Sequence, residues 1–196
     1  MADWKKVTEN LVKRGFTVRR FSTAAQAADY LDGQLDGLSV AFGGSVTVRD
    51  MGLYPRLAAH NRCVWHWEQG DLTQAMSTDA YITSVNALAE TGELVNIDGT
   101  GNRVASTLYG HQRVYFIVGS NKLAPDYDAA VWRARNVAAP KNAQRLKVDT
   151  PCAVKGDRCY DCSSPQRICR ALTVLWEKPL GPSMMEVILV DEALGY

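Results

Sequence analysis

Apolar residues recur along this chain at two alternating spacings, one helical and one strand-like. Over Asp3 to Arg14, Trp4, Val7 and Leu11 fall one helical turn apart, and Gly15 follows where such a helix stops. Phe16 to Phe21 reads as a strand. Ser22 is placed to cap a second helix, Thr23 to Leu35, whose inner face carries Ala24, Ala27, Ala28, Leu31 and Leu35. Leu38 to Phe42 is the next strand and runs straight into Gly43-Gly44-Ser45. The helix-prone stretch Val46 to His60 follows, broken by Gly52 and Pro55. Cys63 to Trp67 reads as a strand whose alternation sets His66 opposite Trp65 and Trp67. His60 and His111 sit near element ends and read as exposed.

The richest stretch is Asp79 to Lys122. It opens with the β-branched run Ala80 to Val85, turns through Asn86-Ala87-Leu88-Ala89, and resumes as Glu93 to Ile97. The loop Asp98-Gly99-Thr100-Gly101-Asn102 leads into a short helix, Arg103 to Tyr109, and then the strand Arg113 to Val118. A further helix, Asp126 to Val137, is interrupted by Ala138-Ala139-Pro140. Ala171 to Trp176 and Met185 to Val190, joined by a Pro/Gly turn, read as a terminal hairpin. Together these elements predict a single α/β domain over residues 1–196. Its mostly parallel sheet is flanked by helices, with a cysteine-rich segment and a β-hairpin at its C-terminal end.

In α/β sheets ligands bind where loops leave the carboxyl ends of strands. Gly43, Gly44 and Ser45 form a strand-to-helix junction able to offer amides and a hydroxyl to an anion. Asn86, Asp98, Gly99, Thr100, Gly101 and Asn102 are candidate polar ligands for a carboxylate, sugar or phosphate, although the same residue types are what turns require. Lys122 adds a positive charge just beyond a strand end.

The Asp79 to Lys122 stretch, with Gly43-Gly44-Ser45 and Gly52-Leu53-Tyr54 upstream, resembles the signature of the LUD (lactate-utilisation) domain family. The resemblance covers nearly the whole chain and implies the fold shared by ribose-phosphate isomerases and CoA-transferases. It also implies a role in oxidising lactate or another organic acid beside iron–sulfur partner subunits. CoA-transferases of that fold use a glutamate nucleophile, which makes Glu90 the catalytic candidate by analogy. Where the isomerases carry an aspartate, this chain has Asn86, which has no proton to exchange. The superfamily also leaves open a stand-alone enzyme acting on a phosphosugar or acyl-CoA, and a third reading is a metal-stapled binding protein without turnover.

Four of the five cysteines, Cys152, Cys159, Cys162 and Cys169, fall in one segment spaced C-x6-C-x2-C-x6-C. Such thiols suit a [4Fe–4S] cluster or zinc, or serve as free redox thiols. The basic neighbours Lys155, Arg158, Arg167 and Arg170 favour an anionic cluster. A net charge of +1 and the lack of a basic, aromatic-rich stripe argue against nucleic acid. No apolar run nears the ~20 residues that cross a bilayer, and the N-terminus has no secretory h-region, so a cytoplasmic location is expected. The expected partners are a small anionic substrate and iron–sulfur proteins, with homo-oligomerisation left open. No G-x-G-x-x-G follows a strand, which disfavours a nicotinamide dehydrogenase.

Overall fold

The computed structural model describes residues 3–68 and 70–196, and their strands form two sheets. In chain order the elements begin with α1 (Trp4–Lys13), β1 (Thr17–Phe21), α2 (Ala24–Gln34) and β2 (Ser39–Phe42). Then come α3 (Val46–Asp50), α4 (Leu53–Ala58), β3 (Arg62–Trp65), β4 (Ala80–Ser84), β5 (Ala87–Ala89) and β6 (Leu94–Asp98). The second half holds α5 (Asn102–Leu108), β7 (Arg113–Gly119), β8 (Leu123–Ala124), α6 (Tyr127–Arg133) and α7 (Ala139–Arg145). It ends with α8 (Pro151–Lys155), β9 (Ala171–Leu175) and β10 (Met184–Val190).

The larger sheet has six strands in the order β1-β10-β7-β4-β2-β3, all parallel. Its central strands are buried on both faces, which is why β2, β4, β7 and β10 read as near-continuous apolar runs. Side-chain alternation divides them between two cores. Ala41, Tyr81, Val114, Phe116, Val187 and Leu189 pack with Val7 and Leu11 of α1. Val40, Phe42, Ile82, Tyr115, Ile117 and Ile188 pack with Ala27, Leu31, Val48 and Leu57 of α2, α3 and α4.

The smaller sheet has the order β8-β5-β6-β9. Leu88, Leu94 and Leu175 face the first core, while Ala87, Ala89 and Val95 face Ala130 and Ala134. The small alanines let α6 approach the strands closely. Between α6 and α7 the helix widens into a π-turn, Ala134–Ala138. Pro140 cannot donate an amide hydrogen to the turn before it, and the wide turn absorbs that defect without ending the helix. The interruption expected at Ala138-Ala139-Pro140 is thus a bulge in a continuous helical segment.

Three expectations need correction. The terminal hairpin does not form: β9 pairs antiparallel with β6, while β10 lies between β1 and β7, parallel to both. The reason is burial, since β10 feeds Val187 and Ile188 to opposite cores, whereas β9 leaves Leu172 about half exposed. The turn expected at Asn86 to Ala89 is the short strand β5, antiparallel to β6. Finally, α2 is capped by Thr23, not Ser22, through a capping box with Gln26.

Candidate functional site

Four strands of the parallel sheet end at one cavity. β2 leads into Gly44 and Ser45, β3 into His66 and Trp67, β4 ends at Ser84, and β7 is followed by Lys122. The smaller sheet adds Asp98 and Gly99 from the end of β6, α5 adds Asn102 and Arg103, and α7 adds Asn142 and Arg145. Arg167 and Arg170, from the loop before β9, close the outer side. The cavity holds about 530 Å³. A crevice at the carboxyl ends of parallel strands is where this architecture places ligands.

The lining is cationic. Arg103, Lys122, Arg145, Arg167 and Arg170 face the cavity, against one acidic side chain among the described residues, Asp98. Asp98 is already occupied: its oxygens accept the amides of Thr100 (3.2 Å), Gly101 (3.1 Å) and Val104 (3.3 Å), with Arg103 Nε 3.6 Å away. Arg167 lies 3.2 Å from Asp161. Among the described residues, Arg145 and Arg170 pair with no carboxylate, so the cavity carries uncompensated positive charge from the arginines.

Arg103 is held rigidly. It donates to Asn96 Oδ1 (2.7 Å), to Asn86 Oδ1 (3.2 Å) and to the Ile97 carbonyl (2.6 Å). Asn86 Oδ1 also accepts the Ile97 amide at 2.6 Å, and the Asn86 carbonyl accepts from Arg133. Asn86 therefore braces the smaller sheet and orients an arginine while lining the cavity. Arg145 is set by Asn142 Oδ1 (3.0 Å), Tyr196 Oη (3.1 Å) and the face of Trp67.

Lys122 is the most unusual group, at 3% exposure. Burial and the neighbouring Arg133 and Arg103 guanidinium groups lower its pKa to about 7. His66 also lines the cavity, and burial lowers its proton affinity. Its Nδ1 is buried with no hydrogen-bond partner among the described residues. The expectation that His66 faces away from both tryptophans fails because the strand stops at Trp65. The Trp65 carbonyl accepts the amides of Glu68 and Gly70 in a tight turn, which swings His66 and Trp67 into the same cavity. His111, expected to be exposed, is buried and stacks on Tyr81 at 4.9 Å.

Of the residues singled out from sequence, Gly44, Ser45, Asn86, Asp98, Gly99, Thr100, Asn102 and Lys122 are brought together around the cavity. Gly43 and Gly101 are not among its lining residues. The Gly43 amide donates to Ile82, and a side chain there would meet Thr83 Oγ1 at 2.6 Å, so this glycine serves close packing. Gly101 adopts a left-handed φ of 92° at the start of α5. The loop amides expected to cradle an anion are spent partly on Asp98, and the Ser45 hydroxyl accepts the Val48 amide to cap α3. Glu90, the catalytic candidate by analogy, is not brought to the cavity: it lies outside the lining, with its carboxylate 3.4 Å from Lys6 of α1.

The four clustered cysteines are free thiols, half-buried, and among the described residues no three His, Cys, Asp or Glu side chains group as a metal site. Cys152 lies on α8 beside Thr150. Cys159 and Cys169 line a second hollow of about 350 Å³ with Arg135, Arg167 and Arg170. Arg167 bridges the two spaces, donating to the carbonyls of Cys162 and Cys169. As arranged, the thiols do not fit a four-thiolate centre, and no chemistry is assigned through one. No described helix is long and apolar enough to cross a membrane.

The fold is similar to that of a DUF162 family protein from Deinococcus radiodurans. That comparison has a TM-score of 0.58 at 15% identity, over 95% of this chain and 94% of the other. No curated protein matches the chain. The LUD domain family model matches residues 4–190, and the chain therefore belongs to the LUD domain family.

Proposed function

We propose that this LUD domain binds a small organic acid of the lactate or pyruvate class in the cavity at the strand ends, as a component of an organic-acid utilisation system. The observation that supports this reading is the charge balance of the cavity. Arg145 and Arg170 face it without a carboxylate partner, and the one acidic side chain lining it among the described residues, Asp98, is bonded to its own loop. Uncompensated cations in a half-enclosed space favour an anion strongly, because the low local dielectric strengthens each interaction. The volume suits a small ligand held by a few placed polar groups. Family membership supplies the choice of organic acids over other anions.

Titration calorimetry with lactate, pyruvate and inorganic phosphate tests the reading. A carboxylate should bind at about 1 mM or tighter, and Arg145→Gln should weaken it about tenfold. Equal weak binding of all three anions, unaltered by Arg145→Gln, would overturn it.

A further inference from the structure

Lys122 Nζ donates to Ser84 Oγ at 2.7 Å and to Thr47 Oγ1 at 2.8 Å. Each hydroxyl has only one proton to give. Ser84 spends its own on the Ile117 carbonyl at 2.5 Å, and Thr47 on the Leu194 carbonyl at 3.2 Å. Both hydroxyls must therefore accept from the lysine. A neutral amine has two N–H bonds and one lone pair. In the neutral form both N–H bonds are so engaged and the lone pair is the remaining valence, where the ammonium form would keep a third N–H; Lys122 lines the cavity.

We propose that Lys122 is a nucleophilic amine that forms an imine with the carbonyl of a 2-oxo acid seated in this cavity. The inference rests on the anion-site reading above and deepens it by naming the substrate class. A 2-oxo acid carries side by side the two groups this site would recognise: a carboxylate for the arginines and a carbonyl for the amine. A 2-hydroxy acid such as lactate has the first but not the second.

The step balances without a co-reactant. The nitrogen lone pair attacks the carbonyl carbon, forming a C–N bond while the C=O π pair moves to oxygen. The two amine protons pass to that oxygen, the C–O bond breaks, and one water leaves as the C=N bond forms. Burial beside two guanidinium groups keeps a usable fraction of the amine unprotonated near neutrality. The charged and titratable groups around it are Arg103 from α5, Arg133 from α6, Asp98 at the end of β6 and His66 after β3. Arg145 from α7, the loop residues Arg167 and Arg170, and the Tyr196 phenol complete the set of lining groups.

The test is reductive trapping. The full-length protein is incubated with pyruvate or glyoxylate and cyanoborohydride, and the adduct is mapped by peptide mass spectrometry. The expected result is a single reduced adduct at Lys122, forming at least about tenfold faster than at exposed lysines such as Lys141. Its rate should rise with pH through about 7, and lactate should compete. Lys122→Arg should abolish the adduct. Ser84→Ala, checked for an unchanged melting profile, should slow it by about fivefold by freeing the amine to turn away. Pyruvate binding by calorimetry without any adduct at Lys122 would overturn the imine and leave the anion site standing. Adduct formation at Lys122 no faster than at Lys141, or insensitive to lactate, would overturn it as well. Absence of pyruvate binding with lactate still bound would overturn the imine alone, and absence of binding by either acid would remove both readings.

Discussion

The guanidinium of Arg145 lies 4.8 Å above the ring of Trp67, so that α7 and the turn after β3 meet across the mouth of the cavity. Neither group is held by a carboxylate. Trp67 also stacks on Trp65 at 5.2 Å, which fixes the ring from behind. An anion entering the cavity competes with the indole for the guanidinium, so tryptophan emission should change on binding and saturate with the calorimetric affinity. Trp67→Leu should loosen Arg145 and weaken carboxylate binding about threefold to fivefold, in line with ~0.5–1 kcal/mol for an exposed cation–π pair. Fluorescence titration of both forms measures this.

Glycine is required at Gly99 for a different reason than at Gly101. A Cβ on Gly99 would stand 2.7 Å from the Ile168 carbonyl, and that neighbour is backbone that cannot swing aside. A Cβ on Gly101 meets nothing within 4 Å, but its φ of 92° is costly for any other residue. Gly99→Ala should thus cost about 1–3 kcal/mol and shift the loop before β9 that carries Arg167 and Arg170. Gly101→Ala should cost about 1 kcal/mol and leave that loop in place. Thermal unfolding separates the two in stability, and only Gly99→Ala should lower anion affinity by more than about threefold.

The parallel sheet was legible because its signal is local. β4 and β7 are apolar runs of strand length with β5, β6 and one short helix between them, and they lie side by side in the parallel sheet. The choice of sheet for β9 and β10 was not legible, since both are apolar runs, and what separates them is whether one face or two is covered. Half of the site could be read from loop residues at strand ends, such as Gly44, Asp98, Asn102 and Lys122. The arginines could not, because Arg103, Arg145, Arg167 and Arg170 come from three separate segments and converge only after folding. Glu90 lies away from the cavity because a position in a turn after a strand says nothing about which side the turn opens on. It opens toward α1, where Asn10 donates to the Glu90 carbonyl at 2.7 Å. For His66 a signal existed in Gly70, whose close approach to the Trp65 backbone ends the strand.

Thiol reactivity should fall into two classes. Cys63 is packed against the core of α2, α3 and α4, and burial pushes its thiol up to about 11 from 9.0, leaving roughly a hundredfold less thiolate at a given pH. Cys152, Cys159, Cys162 and Cys169 sit in the segment outside that core. Metal-free protein should therefore react with a thiol reagent at these four sites well before Cys63. A metal that drew the four sulfurs together would protect all of them at once, and iron with sulfide would add broad absorption near ~400 nm. Independent reaction of each site in the presence of iron or zinc would leave the segment as free thiols.

The strongest stability prediction concerns the lysine. Lys122 has an ordinary pKa of 10.5 when exposed in the unfolded chain and about 7 when buried. Between those values the unfolded state binds more protons than the folded state, so this group makes stability rise with pH across the window. Its contribution to the slope is up to about 1.4 kcal/mol per pH unit. Below about 7 the penalty for burying the charge is present in full, and above 10.5 it is gone. Lys122→Met keeps much of the volume and removes the charge, and the two hydroxyls it leaves still donate to the Ile117 and Leu194 carbonyls. The variant should therefore be more stable than the natural protein at pH 7, by about 1–3 kcal/mol. That advantage should shrink steadily toward pH 10, as read by urea unfolding at several pH values. A variant equally destabilised at every pH would mean that the lysine is held as a structural cation rather than as a strained amine. Loss of carbonyl trapping in a more stable protein is the combination expected of a group placed for chemistry at the expense of stability.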